Sequence, residues 1–235
     1  MIAFNLDMDM DDPDYPGLRI AAEFGAVEQY LTLLIEHLPV VRDQTRLRSQ
    51  AALKKKYPRH SRVDFVEDYE QIEWVSNMLV PKFFLGSFVS AAWAVFEVAS
   101  AEITKYVRRK ENVRLRITDL RCSDGWEKLQ LYFETVWTEK ITISDSDVQK
   151  VKALQTVRNF FAHANGSLGF ERDNRDNENI RKLVKADIGV SLQEDDILIS
   201  ENFLRESFGS LEVVMNLLLG EVEKRYGAKP QQVIR

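Results

Sequence analysis

The run Arg158-Asn159-Phe160-Phe161-Ala162-His163 places a guanidinium, a carboxamide and an imidazole within six residues. A guanidinium is planar, always charged and bidentate towards phosphate, and a carboxamide can orient it. An imidazole ordinarily titrates near neutrality, so it can take or give a proton. On a helix Asn159 and His163, four residues apart, stack on one face, and Arg158 beside them is long enough to reach the same cleft. Residues of these types at this spacing suit phosphate chemistry: one group neutralises growing charge, one fixes geometry and one moves a proton.

The helix that must carry the run can be argued from its ends. Ser146-Asp147-Val148-Gln149 has the form of a capping box and predicts a helix start near Asp147. Asn165-Gly166 tolerates a left-handed backbone and predicts a stop just after His163, which then stands in the last turn. At helical spacing Val151, Leu154, Val157 and Phe161 form an apolar arc, flanked by Lys150 and Lys152, with Thr156 well away from it. Arg158 falls inside that arc. A charge that cannot be lost is costly on a buried face, so Arg158 needs an anion or a carboxylate.

Each residue also has a plainer reading. Arg158 can be one half of a structural salt bridge to Glu97 or Glu102, Asn159 a packing hydrogen-bonder, and His163 a cation complementing the helix dipole.

Arg158-Asn159 followed by His163 resembles the R-N-x-x-x-H signature of the HEPN superfamily. A long upstream helix with Trp93, Phe96 and Glu97, and the motif helix ending in Ala162-His163-Ala164-Asn165-Gly166, agree with it. The resemblance implies an all-α helical bundle that dimerises around the motif, and the chain's own spacing adds a small β-hairpin before the C-terminal helix. It implies metal-independent endoribonuclease activity leaving 2′,3′-cyclic phosphate ends, with no cofactor. The 2′-hydroxyl attacks the adjacent phosphate, His163 is general base or general acid, Arg158 stabilises phosphoryl charge and Asn159 fixes the geometry. One histidine does not easily serve both ends of an in-line displacement, so two motifs paired across a twofold axis would supply the second. Glu97 stands as a further catalytic residue or as the counter-ion of Arg158, and the two roles are compatible. The implied partners are RNA, a second copy of the chain and an inhibitory protein, in the setting of a toxin or an antiviral effector. The competing expectations are a non-catalytic HEPN-like module that binds a nucleotide, RNA or protein, and a purely structural dimerisation protein.

The remaining elements are read from spacing and breakers. Leu18 to Leu38 predicts a helix, and Pro39 a break before a second helix ending around Lys56-Tyr57-Pro58. Arg62 to Val80 predicts another, with Phe65, Tyr69, Ile72 and Leu79 inward, separated by Pro81 from a long helix to about Lys110. Leu115 to Cys122 reads as irregular or briefly extended, and Trp126 to Thr138 as a helix. Glu171 to Arg181 lacks apolar periodicity and reads as a mobile loop. Ile188–Leu192 and Ile197–Ile199 read as a hairpin, and Ser200 as the cap of a last helix ended by Gly227. Gly86, Ser90 and Ala94 make a small-residue groove for a close helix approach, either within the chain or between copies. The expected organisation is an acidic segment 1–17, a single domain 18–227 with its bundle core at 82–164 and the hairpin and last helix at 187–226, and a tail 228–235.

Composition narrows the function classes. With 235 residues, 45% hydrophobic and 29% charged, the chain can bury one generous core. A single cysteine, Cys122, excludes an internal disulfide. An aspartate-rich start without a basic region argues against a signal peptide, and the uncharged run Phe83 to Phe96 is shorter than the ~20 residues of a membrane helix. A cytoplasmic protein without membrane partners is expected, and Asn165-Gly166-Ser167 reads as a turn rather than a glycosylation site. His37, His60 and His163 have no partners at zinc spacing, so no metal is expected. Asp7, Asp9, Asp11 and Asp12 lack the glycine and the final glutamate of a calcium loop. There is no phosphate-binding glycine loop and no serine-hydrolase elbow. A net charge of -5 opposes broad capture of nucleic acid. Two basic tracts stand against that balance: Arg42, Arg46, Arg48, Lys54, Lys55, Lys56, Arg59 and Arg62, then Lys105, Arg108, Arg109, Lys110, Arg114 and Arg116. Each reads first as a solvated helix face, and if RNA is the substrate one of them is expected to flank the motif cleft in the dimer.

Overall fold

The structure, a computed structural model, describes residues 12–57, 62–122, 124–138, 140–168 and 174–227. In chain order the elements are α1 (Gly17–Lys56), α2 (Arg62–Trp74), a π-helical turn (Val75–Leu79), α3 (Val80–Lys110), a 3-10 turn (Ile117–Asp119), α4 (Gly125–Trp137), α5 (Asp145–Ala164), α6 (Asn174–Lys185), β1 (Val190–Gln193), β2 (Asp196–Ile199) and α7 (Glu201–Tyr226). The fold is all-α with one two-stranded antiparallel hairpin before the final helix, as the sequence predicts. The calcium-like aspartates before Asp12 and the expected tail 228–235 lie outside the described residues.

Both proline breaks are overturned. α1 is one helix of 40 residues with Pro39 inside it, not a helical pair. Pro39 is exposed, so the Ile35 carbonyl that loses its partner one turn back lies towards water, which softens the usual penalty. Pro81 is the second residue of α3 and separates nothing. The π turn just before it closes with the Val80 N–H on the Val75 carbonyl, five residues apart, and this wider turn makes room for the ring without ending the helical path. The joined stretch Phe65–Lys110 is therefore long and apolar enough to cross a membrane by length and composition alone, a test that a core helix also passes. Tyr69, expected inward, is exposed, as are Val66 and Trp74.

Glu171 to Arg181 is corrected too, because α6 begins at Asn174. Ile180 is fully buried, and Leu183 and Val184, half-buried, continue its face at helical spacing. The polar window contained one apolar residue, so no period was visible in it.

The hairpin and the last helix follow the expectation. β1 and β2 pair Val190 with Ile199 and Gln193 with Asp196 across the Glu194-Asp195 turn, where Glu194 has φ 54°. The Ser200 hydroxyl accepts the Phe203 N–H at 3.1 Å, capping α7.

The chain divides into two compact units. The first comprises residues 1–26, 91–156 and 205–235. Its core holds Ile20, Phe24, Trp93, Phe96, Ile103, Leu129, Phe133, Leu154 and the inner face of α7 from Phe208 to Leu218. The Phe24 and Phe208 rings stack at 5.8 Å between centroids. Two tyrosines satisfy their hydroxyls internally: buried Tyr132 donates to the Thr104 carbonyl, and half-buried Tyr226 donates to Glu111 while accepting from the Trp137 indole. Burial pushes the Tyr132 phenol up to about 12. The Lys152 ammonium on α5 grips Glu127 and Asp124 at the start of α4, and holds the Glu127 carboxyl below its ordinary range.

The second unit comprises residues 27–90 and 157–204. Leu31, Leu34, Phe88, Val157, Phe160, Ile180, Ile197 and Phe203 are among its buried residues. The motif falls in this unit.

Candidate functional site

The motif helix α5 starts two residues earlier than the sequence suggested. The Ser144 hydroxyl, not that of Ser146, accepts the Asp147 N–H at 3.1 Å and itself donates to the Asp147 carboxylate at 2.6 Å. Ser144 and Ser146 both offer a serine followed three residues on by a polar acceptor or donor, and the structure selects the first. The selection has a tertiary partner, since the second Asp147 oxygen accepts from Ser210 at 2.8 Å.

The other end of α5 is as expected. The helix ends at Ala164 with His163 in its last turn, and Asn165 and Gly166 take φ values of 48° and 69°. An alanine at Gly166 would combine that backbone with a Cβ 2.9 Å from the Phe161 ring, so glycine is required there.

What fixes this helix end is the loop that follows. The Gly166 N–H returns to the Phe160 carbonyl at 3.1 Å, while the Gly166 carbonyl accepts the Ile197 N–H of β2 at 2.8 Å. The Leu168 N–H donates to the Asp195 carbonyl at 2.7 Å, and Ser167 pairs as an isolated bridge with Asp196. The hairpin thus extends its ladder onto the segment that terminates the motif helix.

Below that segment lies a buried ion pair. Lys82, 5% exposed, donates to the Asp196 carboxylate at 2.7 Å. Lys82 marked the edge of an uncharged run and Asp196 a turn in the sequence, so neither announced the other across 114 residues. A second contact locks the helix laterally, because a Cβ on Gly86 would fall 2.3 Å from the Phe161 ring. The small-residue groove of α3 is therefore occupied at Gly86 by α5 of the same chain, while Ser90 and Ala94 stay exposed.

Arg158 and Asn159 are both half-buried, and one guanidinium N–H donates to the Asn159 carboxamide oxygen at 3.2 Å. His163 is exposed. The apolar arc is as expected, with Val151, Leu154 and Val157 fully buried and Phe161 nearly so. The structure brings Arg158, Asn159 and His163 together on the last two turns of one helix. Glu97 is exposed on α3 and falls in the other compact unit.

Chemically, the arrangement presents an accessible imidazole at an anchored helix end, beside a guanidinium and carboxamide already hydrogen-bonded to each other. Such a pair can receive an anion with little further ordering of its side chains. Among the described residues no group of three or more His, Cys, Asp and Glu side chains is placed to hold a metal ion.

The basic tracts differ in how they are compensated. In the first, Arg42 and Arg46 pair with Asp43, and Lys56 with Asp68. In the second, Arg109 pairs with Asp14 and Lys110 with Asp12. The Lys110 ammonium, the Asp14 N–H and the Tyr106 hydroxyl together hold the Asp12 carboxyl down at about 2. Asp12 is thus an anchor of α3 rather than part of a solvated acidic terminus.

Comparison of the chain with protein-family models, with curated proteins and with solved structures gave no match.

Proposed function

We propose that this protein is a metal-independent endoribonuclease of HEPN type that works as a homodimer, with Arg158, Asn159 and His163 at its catalytic centre. The observation that carries the reading is an exposed His163 in the last turn of α5, one turn from the hydrogen-bonded Arg158–Asn159 pair. In the reaction the ribose 2′-oxygen attacks the adjacent phosphorus and the bond to the 5′-oxygen breaks. One imidazole takes the 2′-hydroxyl proton, and the second copy's imidazole gives a proton to the departing oxygen, leaving a 2′,3′-cyclic phosphate and a 5′-hydroxyl. Arg158 stabilises the charge that grows on the non-bridging oxygens, and Asn159 holds the guanidinium in place. A cytoplasmic toxin or antiviral effector with an inhibitory protein partner is the setting we infer from the same resemblance.

The test is incubation of RNA with the purified chain in EDTA, followed by analysis of new ends. His163→Ala should lower cleavage by about 10²- to 10⁴-fold, the ordinary contribution of a positioned acid or base, with an unchanged circular dichroism spectrum. Undiminished cleavage by that variant overturns the assignment, and full activity in a monomer overturns the paired site. Cleavage should also produce growth arrest on expression of the unaltered chain and none with the variant.

A further inference from the structure

The C-terminal end of α3 carries a second feature that the catalytic residues do not use. α3 closes in a paired turn: the Asn112 N–H donates to the Arg109 carbonyl and the Val113 N–H to the Arg108 carbonyl, with Asn112 at φ 51°. This is the reversal that turns a chain back along the helix it has just left. The returning segment enters the 3-10 turn at Ile117, and a cavity of about 400 Å³ opens there, lined by Thr104, Lys105, Arg108, Arg116 and Ile117 among others.

Charge decides what the cavity is for. Lys105 and Arg116 are exposed and Arg108 is half-buried, and none of the three has an ion pair among the described residues. Their neighbours Arg109 and Lys110 are neutralised by Asp14 and Asp12. Of the neighbouring carboxylates, Glu102 pairs with Arg19 and Asp119 accepts the Arg116 backbone N–H at 2.9 Å, and neither lines the cavity. The Thr104 hydroxyl already donates to the Ser100 and Ala101 carbonyls, so recognition here belongs to the cations. Three uncompensated cations in one concavity repel each other until an anion enters.

A chain of net charge -5 can hold a polyanion only where basic groups are concentrated and unpaired. Guanidinium groups grip phosphate bidentately and stack on bases, and Ile117 adds an apolar wall. The recess has room for one nucleotide of a strand whose neighbours continue into solvent. We propose that the cavity lined by Lys105, Arg108 and Arg116 binds the phosphate backbone of single-stranded RNA, as an exosite for the substrate of the endoribonuclease; this rests on the functional reading above.

The experiment measures binding of a fluorescent single-stranded RNA by anisotropy, using the full-length His163→Ala chain so that the probe stays intact. Lys105→Gln with Arg116→Gln removes two exposed charges without touching a packed side chain, and Lys54→Gln with Lys55→Gln removes the same charge elsewhere. Affinity should fall at least tenfold in the first pair and less than twofold in the second. The slope of log affinity against log salt should flatten by about 1.4, from two contacts at ~0.7 each. Equal losses in both pairs, an unchanged slope, or no saturable RNA binding overturns the exosite. So does full competition by inorganic phosphate or a mononucleotide at the concentration of RNA, which would make the cavity a small-anion site. RNA binding of this pattern in a chain that never cleaves RNA sinks the nuclease reading and leaves the cavity as a binding site. Cleavage with undiminished affinity in the Lys105/Arg116 variant does the reverse.

Discussion

Two helix ends in this protein use the same local device and are held in place by opposite means. α3 stops at Asn112 and α5 at Asn165, both in the left-handed region, and both helices bring cationic or titratable residues to their last turns, where the dipole favours them. The end of α5 is fixed from beneath, by the Lys82–Asp196 pair, by Phe161 on Gly86 and by a backbone ladder to β2. The end of α3 is fixed from outside, by Asp12 and Asp14 on its exposed lysine and arginine. Buried contacts resist salt and are intolerant of shape changes, whereas exposed ion pairs accept substitution and answer to ionic strength. A residue that must be held for chemistry is better placed on the first kind of end, and a surface that must exchange counterions for a polyanion on the second.

Substitutions can break this contrast in order of size. Lys82→Met leaves the Asp196 carboxylate without its partner, and with Asp196 still 20% exposed the cost should be about 2–3 kcal/mol, towards the low end for broken buried pairs. Urea unfolding should show it, and a midpoint within error of the parent would mean that the pair does not hold the α5 end. Gly86→Ala forces a Cβ into the Phe161 ring and should cost about 1–3 kcal/mol as overpacking. On the proposed function, RNA cleavage by the same variant should fall more than stability explains, because the ring sits between Arg158 and His163 in sequence. Ser144→Ala removes the cap of α5 for about 1 kcal/mol. The same change at Ser146 should be neutral, and the reverse ranking would restore the sequence-predicted cap.

The smallest effect tests the α3 end. The Asp12 carboxyl is held at about 2 in the folded chain and regains an ordinary value near 3.8 on unfolding. Its contribution is therefore present above about pH 4 and is lost as pH falls through 2. Asp12→Asn should lower stability at neutral pH, and the difference from the parent should vanish as pH falls through 2. High salt should mimic the substitution, whereas the α5 end should be indifferent to both.

The sequence-level expectations succeeded where the signal was local. The stop at Asn165-Gly166, the presence of the hairpin and the Ser200 cap are each written in adjacent residues, and the structure has all three. Prolines misled because a breaker was read without its surroundings: Pro39 lies on an exposed face and Pro81 behind a π turn. α6 was hidden because its deeply buried Ile180 closes a polar window whose partners Leu183 and Val184 come after it. At the candidate site, Arg158, Asn159 and His163 are legible from their spacing alone. Lys82 and Asp196 are not, since a lysine before an apolar run and an aspartate in a turn look like solvated residues until the chain folds.

Taken alone, the amino-acid order determined that this chain is helical, that one helix must end just past His163, and that a guanidinium, an amide and an imidazole share its last turns. Only the tertiary structure decided which serine caps that helix, which residues pin its end and which basic side chains are left without a counter-charge. The reason is range. Helix periods, caps and turns are set by atoms a few residues apart, whereas compensation of a charge and the filling of a groove depend on whichever distant segment the fold brings against them.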